Sequence, residues 1–200
     1  YAKVDYSHFM NITAKVALRM IPDSLATQPI FLCVDDTMVA KAGTRFENVS
    51  KLFDHAAHNG SNYLNGHCFV SIMLCIPVWK NDRVSYLSLP LGYRMWQKKE
   101  SKLELAASMI RQVMPEFQEK KQVIILCDSW YTKRNLVSIV DEYLNLDLIG
   151  NARIDSVMYA PAHTGRRGRP AKHGKRLSVE TDFAFSNEKI GDYYTEKRQA

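Results

Sequence analysis

Two runs of five apolar residues, Ile30-Phe31-Leu32-Cys33-Val34 and Val123-Ile124-Ile125-Leu126-Cys127, each stop at an aspartate. A short apolar run with no alternation reads as a strand buried on both faces. The first run ends in Asp35-Asp36-Thr37 and the second in Asp128. The rest of the chain falls into order around them. Tyr6, Phe9, Met10, Ile12, Val16, Ala17 and Met20 have roughly helical spacing, and the pattern stops at Pro22. His67 to Val78 and Val84 to Tyr93 read as two further strands, with Asp82 in the turn of a hairpin. Ser101-Lys102-Leu103-Glu104 has the spacing of a capping box, and Leu103, Ala106, Ala107, Ile110, Val113 and Met114 follow at helical period. Leu136, Val137, Ile139, Val140, Tyr143 and Leu144 place a helix after the second apolar run, and Asp147 to Asn151 reads as a fifth strand. The stretch from Met38 to Gly66 is polar, contains glycine and has no clean period. The order β, β-hairpin, α, β, α, β predicts an α/β chain with a mixed sheet of five strands flanked by helices.

Composition narrows the class. A length of 200 residues suits one core, and 46% apolar with 10% aromatic residues excludes disorder for most of the chain. No apolar run approaches the roughly 20 residues that a membrane-spanning helix needs. Cys33, Cys68, Cys75 and Cys127 sit in or beside the apolar runs and form no Cys-x-x-Cys pair. They read as reduced, buried thiols of a cytoplasmic protein. The chain opens at Tyr1 with no signal-peptide layout, as expected of an internal segment of a longer protein. Net charge is +6, from 27 Lys and Arg against 21 Asp and Glu. Six of those cations, Arg166, Arg167, Arg169, Lys172, Lys175 and Arg176, fall within one stretch that holds no acid. The whole excess is therefore a local basic patch, the footprint of a polyanion such as nucleic acid.

The aspartates carry the chemistry. If the two strands that end at Asp36 and Asp128 are parallel neighbours, both carboxylates emerge at one sheet edge, where α/β active sites are built. Two carboxylates so placed repel each other unless a hard cation lies between them. Mg²⁺ or Mn²⁺ suits such oxygen ligands, and such ions serve phosphoryl transfer. The plainer alternative is that each aspartate is an ordinary turn or helix-capping residue.

Several motifs occur together in order: Val34-Asp35-Asp36-Thr37, Lys41-Ala42-Gly43, Leu52-Phe53-Asp54-His55, Cys127-Asp128-Ser129-Trp130-Tyr131-Thr132, Ile149-Gly150-Asn151-Ala152-Arg153 and Gly168-Arg169-Pro170. From about residue 29 to residue 176 the chain resembles the DDE transposases of bacterial insertion sequences, whose catalytic domain is RNase-H-like. The resemblance implies a five-stranded mixed sheet with the first and fourth strands adjacent. It also implies metal-dependent DNA cleavage and strand transfer on double-stranded DNA, both element ends and target, with Mg²⁺ or Mn²⁺. Carried over by residue, the first acid is Asp36, the aspartate directly before the threonine. Asp35 is its rival, since alternation lets only one of the pair face the metal. The second acid is Asp128. The third is a glutamate on a later helix. Glu180, Glu188 and Glu196 sit on no amphipathic helix, so it is expected beyond Ala200. The division that follows is a helical lead-in over 1–28, an RNase-H-like core over 29–160, and a basic loop opening an insertion or tail over 161–200. Self-association into a homo-oligomer stays open.

Other constellations are weaker. Arg167-Gly168-Arg169-Pro170 can lie extended against DNA phosphates or in a narrow minor groove, or be a solvated linker. Lys41 and Arg45 can hold a phosphate near Asp36, or belong to a solvated loop. Trp130 and Tyr131 can stack on an unpaired base, or cap the helix that follows. His55, His58, His67 and Cys68 lack paired zinc-ligand spacing, and Cys68 should face the core. No Gly-x-Ser-x-Gly, P-loop or dinucleotide fingerprint is present, which argues against hydrolase, NTPase and dehydrogenase readings. Two rivals to a transposase keep its fold: a DNA-binding descendant that no longer cuts, and another RNase-H-like nuclease such as a junction resolvase.

Overall fold

The computed structural model describes residues 6–43, 45–53, 62–117, 121–151, 156–160, 162, 172–178, 181–182, 184–190 and 193–199. The chain divides into two compact units, Tyr1–Ala152 and Arg153–Ala200.

The first unit is built on a mixed sheet of six strands. These are β1 (Ile30–Ala40), β2 (Ser50–Phe53), β3 (Tyr63–Lys80), β4 (Arg83–Met95), β5 (Val123–Cys127) and β6 (Leu146–Gly150). Their order is β2-β3-β1-β5-β6, with β4 also paired to β3. β1 lies between β3, antiparallel to it, and β5, parallel to it. β5 in turn pairs parallel with β6. The expected class and the adjacency of the two apolar strands are therefore both present.

One strand was not expected. β2 pairs antiparallel with the first residues of β3, from Ser50 opposite Gly66 to Phe53 opposite Tyr63. Of its four residues only Leu52 is buried, so it leaves no period in the sequence. The sheet has six strands rather than five for that reason. β1 also runs on past its apolar half to Ala40, still paired with β3. The β3–β4 hairpin turns at Asn81 and Asp82, both with positive φ (52° and 56°). Asn and Asp tolerate that conformation, and a two-residue turn of this kind matches the strand twist.

Two helices cover the sheet. α1 (Tyr6–Arg19) packs on β4, and α2 (Lys102–Val113) packs on β3 and on α1. Met10, Ala14 and Ala17 of α1 meet a core made by Ile30, Leu32, Val34, Val70, Ile72, Leu74, Ile110 and Ile125. The predicted capping box starts α2. Ser101 Oγ accepts the Glu104 amide at 3.1 Å, and the Glu104 carboxylate accepts the Ser101 amide at 3.0 Å. After β5 the expected helix is short. α3 covers only Arg134–Val137, and a 3₁₀ turn carries the chain through Ser138–Glu142. Leu136 and Ile139, both fully buried, are three residues apart, a spacing that serves a 3₁₀ turn as well as an α-helix.

The second unit holds two antiparallel pairs, β7 (Met158–Tyr159) with β8 (Arg176–Leu177) and β9 (Ala184–Ile190) with β10 (Tyr193–Gln199). No helix among the described residues is long and apolar enough to cross a membrane.

Candidate active site

The parallel pair β1–β5 runs in register from Ile30 opposite Val123 to Val34 opposite Cys127, and there β5 stops. β1 continues. Asp35, Asp36 and Asp128 thus lie at the one edge where β1 projects past its neighbour.

Alternation separates Asp35 from Asp36. Ile30, Leu32 and Val34 are buried, and Asp36 continues their face of the strand. Across the ladder it lies opposite Val70, which is fully buried. Asp36 is the centre of a network drawn from β3, α2 and the turn after β5. Tyr131 Oη donates to its Oδ1 at 3.2 Å. Lys102 Nζ donates to its Oδ2 at 2.7 Å, and Cys68 Sγ to the same oxygen at 3.3 Å. Asp35 is exposed, and its Oδ1 accepts the amide of Asp36 at 2.8 Å.

Asp128 closes a turn. Its Oδ1 accepts the amides of Trp130 at 3.0 Å and Tyr131 at 3.2 Å, the capping geometry that such residues favour. The turn is tied down by Thr132, whose hydroxyl bonds the carbonyls of Ser129 and of Asn151. Gly150 makes this possible, because a Cβ there would meet the Thr132 methyl and Cys127 Sγ. Tyr131 connects the two aspartates, taking Asp128 through its amide and Asp36 through its hydroxyl. It is fully buried, which leaves its ring no room to stack on a base, the first of the two alternatives for this residue. Trp130 is half-buried, with Lys133 Nζ 4.2 Å from its ring centroid.

The electrostatics follow from this packing. Burial raises the Cys68 thiol to about 11, and the negative charge of Asp36 adds to it. Burial and Asp36 likewise raise the Tyr131 phenol. Both side chains therefore stay protonated donors to Asp36. Burial pulls the Lys102 ammonium down, but its hydrogen bond to Asp36 and the attraction of that charge outweigh this and leave it raised. The network is one carboxylate held by a cation and two neutral donors.

The donor chemistry fits a hard divalent cation. Asp36 and Asp128 are oxygen donors at one edge, and Asp36 already carries an ammonium on Oδ2. Mg²⁺ commonly takes one or two carboxylates and keeps several waters. Among the described residues no group of three or more His, Cys, Asp or Glu is placed to hold a metal.

The other candidates disperse. His55 and His58 lie outside the described residues, and His67 bonds the Glu47 carbonyl at 2.8 Å while Cys68 turns to Asp36. Lys41 sits 5.7 Å from the Phe46 ring centroid and Arg45 is exposed. Arg166, Arg167 and Arg169 lie outside the described residues, as does Glu180. Lys172, Lys175 and Arg176 are exposed, with Lys175 paired to Asp182 at 2.8 Å. Glu188 and Glu196 are in the strands β9 and β10. Sequence reasoning missed the role of Lys102. Its signal was a cation in the first turn of a helix, where the macrodipole disfavours one.

A mixed α/β sheet with carboxylates at the edge of a parallel pair is a common setting for α/β active sites. A family model described as DDE superfamily endonuclease matches residues 3–192. The chain belongs to the DDE superfamily of endonucleases. No curated protein matches. Among solved structures, the crystal structure of the Mos1 strand transfer complex is 14% identical, at a TM-score of 0.31, over 77% of this chain and 44% of that one. The Mos1 transposase paired-end complex with the left transposon end is 12% identical, at 0.32, over 76% and 44%. The Drosophila P element transposase strand transfer complex is 8% identical, at 0.33, over 69% and 30%. The chain spans less than half the length of each of these.

Proposed function

We propose that this chain carries the metal-binding edge of a transposase that cleaves DNA and transfers the cut strand, acting on the ends of its own element. The observation that supports this best is the joining of Asp36 and Asp128 at one sheet edge through Tyr131, in a chain of the DDE endonuclease superfamily. Asp36 and Asp128 would hold Mg²⁺ or Mn²⁺. When bound, the ion supplies charge neutralisation at a phosphate and a more acidic water. The chain's own part is to hold Asp36 aimed, through Tyr131 and Cys68, and to fix Asp128 by its turn. Asp36 is preferred to Asp35 because the network gathers on it. The basic stretch from Arg166 to Arg176 would track DNA phosphates, whether of element ends or of target.

The test is strand cleavage of supercoiled plasmid by the full-length protein with Mg²⁺ or Mn²⁺. Asp36→Asn and Asp128→Asn each remove a ligand charge and little volume. Each should lower the cleavage rate at least about a hundredfold while leaving circular dichroism unchanged. A mutant that still cleaves near the wild-type rate is not altered at a ligand. An active Asp36→Asn beside a dead Asp35→Asn would move the role to Asp35. Wild type that binds plasmid but cuts with neither ion would be the non-cleaving descendant.

A further inference from the structure

Lys102 is the first residue of α2, where the unpaired amides of the helix start repel a cation. Something else holds it there. Its ammonium lies 2.7 Å from Asp36 Oδ2, and the two side chains are only 19% and 17% exposed. The same ammonium lies 5.2 Å from the Trp130 ring centroid and 5.8 Å from that of Trp96, within the reach of cation–π attraction. Asp36 Oδ1 is taken by Tyr131, so Lys102 and Cys68 share the other oxygen.

We propose that Lys102 is a positioning residue that acts as a tethered placeholder for the metal. This rests on reading Asp36 as a metal ligand. Without the ion, the ammonium balances the half-buried carboxylate and keeps it aimed. A divalent cation at Asp36 must displace it, since two cations on one carboxylate oxygen repel at short range. The flexible four-carbon stem lets the ammonium leave Oδ2 and change its distance from the Trp96 and Trp130 faces. The competition sets a threshold of ion concentration below which the site stays closed by its own lysine.

The experiment measures Mn²⁺ binding to the 200-residue chain, with free Mn²⁺ read by electron paramagnetic resonance and no DNA present. Lys102→Met keeps the stem and removes the charge, and should bind Mn²⁺ about tenfold more tightly than wild type. Lys102→Arg keeps the charge and should stay near wild type, and Asp36→Asn should lose the site. Independently of any variant's folding, Mg²⁺ added to wild type should shift tryptophan emission as the ammonium leaves Asp36. If Asp36→Asn abolishes binding while a folded Lys102→Met binds no tighter than wild type, the placeholder is overturned and the ligand stands. Flat wild-type tryptophan emission through saturation with Mg²⁺ would overturn it as well. If Asp36→Asn binds Mn²⁺ like wild type, the ligand reading falls and the placeholder with it.

Discussion

Tyr131 is the residue on which both aspartates lean, and it belongs wholly to the interior. Its ring fills core space while its hydroxyl spends itself on Asp36. Tyr131→Phe keeps the ring and removes one hydrogen bond to a charged acceptor, which should cost about 1.5 kcal/mol in urea unfolding. A loss near zero would mean that water replaces the hydroxyl at Asp36 without penalty. At this scale the sequence was only partly legible. Asp36 and Asp128 stood out because each ends an apolar run and each lies in a recurring motif. Tyr131 shares the motif of Asp128, but its contact to Asp36, like that of Lys102, is not legible, because these contacts cross 95 and 66 positions of chain. No local period encodes a pairing between side chains that only the folded sheet brings together.

Among the elements, those with a local code were the ones legible in advance. The capping box of α2 is an example, since four consecutive residues specify it. The amide and hydroxyl of Ser101 hold the Glu104 carboxyl below its usual range, the backbone hydrogen bond first. A carboxylate whose folded pKa is depressed adds stability above its unfolded value of 4.5. That stability is lost as pH falls through the lower folded value. Glu104→Gln can keep the box geometry but cannot titrate. Its thermal midpoint should therefore fall less than that of wild type as pH drops from 6 towards 3, followed by circular dichroism. Ser101→Ala removes the cap itself and should cost about 1 kcal/mol at neutral pH. Parallel acid limbs for wild type and Glu104→Gln would show the carboxylate to be energetically silent. β2 had no such code. One buried leucine in four residues carries no alternation, and its partner in β3 supplies the pairing. The helix expected after β5 is cut short for a related reason, since Leu136 and Ile139 satisfy a tighter turn equally well.

For the whole molecule, the charge is the feature that sequence alone establishes. The net excess falls between Arg166 and Arg176, and Lys175 spends part of its charge on Asp182. Arg166, Arg167 and Arg169 should dominate non-specific affinity for duplex DNA. Replacing all three with alanine should make the slope of log K against log salt shallower by up to about 2.7, at roughly 0.9 per phosphate contact. Superimposable slopes for wild type and triple mutant would make the stretch a bystander. The positive surface would then have to be sought around the exposed Lys98 and Lys99.

The parallel pairing of β1 with β5 has a kinetic side. Ile30 and Val123 meet in register from about ninety residues apart, and closing so long a loop is entropically slow compared with turning a hairpin. The β3–β4 hairpin and the start of α2 can organise from neighbours in sequence, whereas β1 must wait for β5 to arrive. The edge that joins Asp36 to Asp128 through Tyr131 therefore exists only once β1 and β5 have paired.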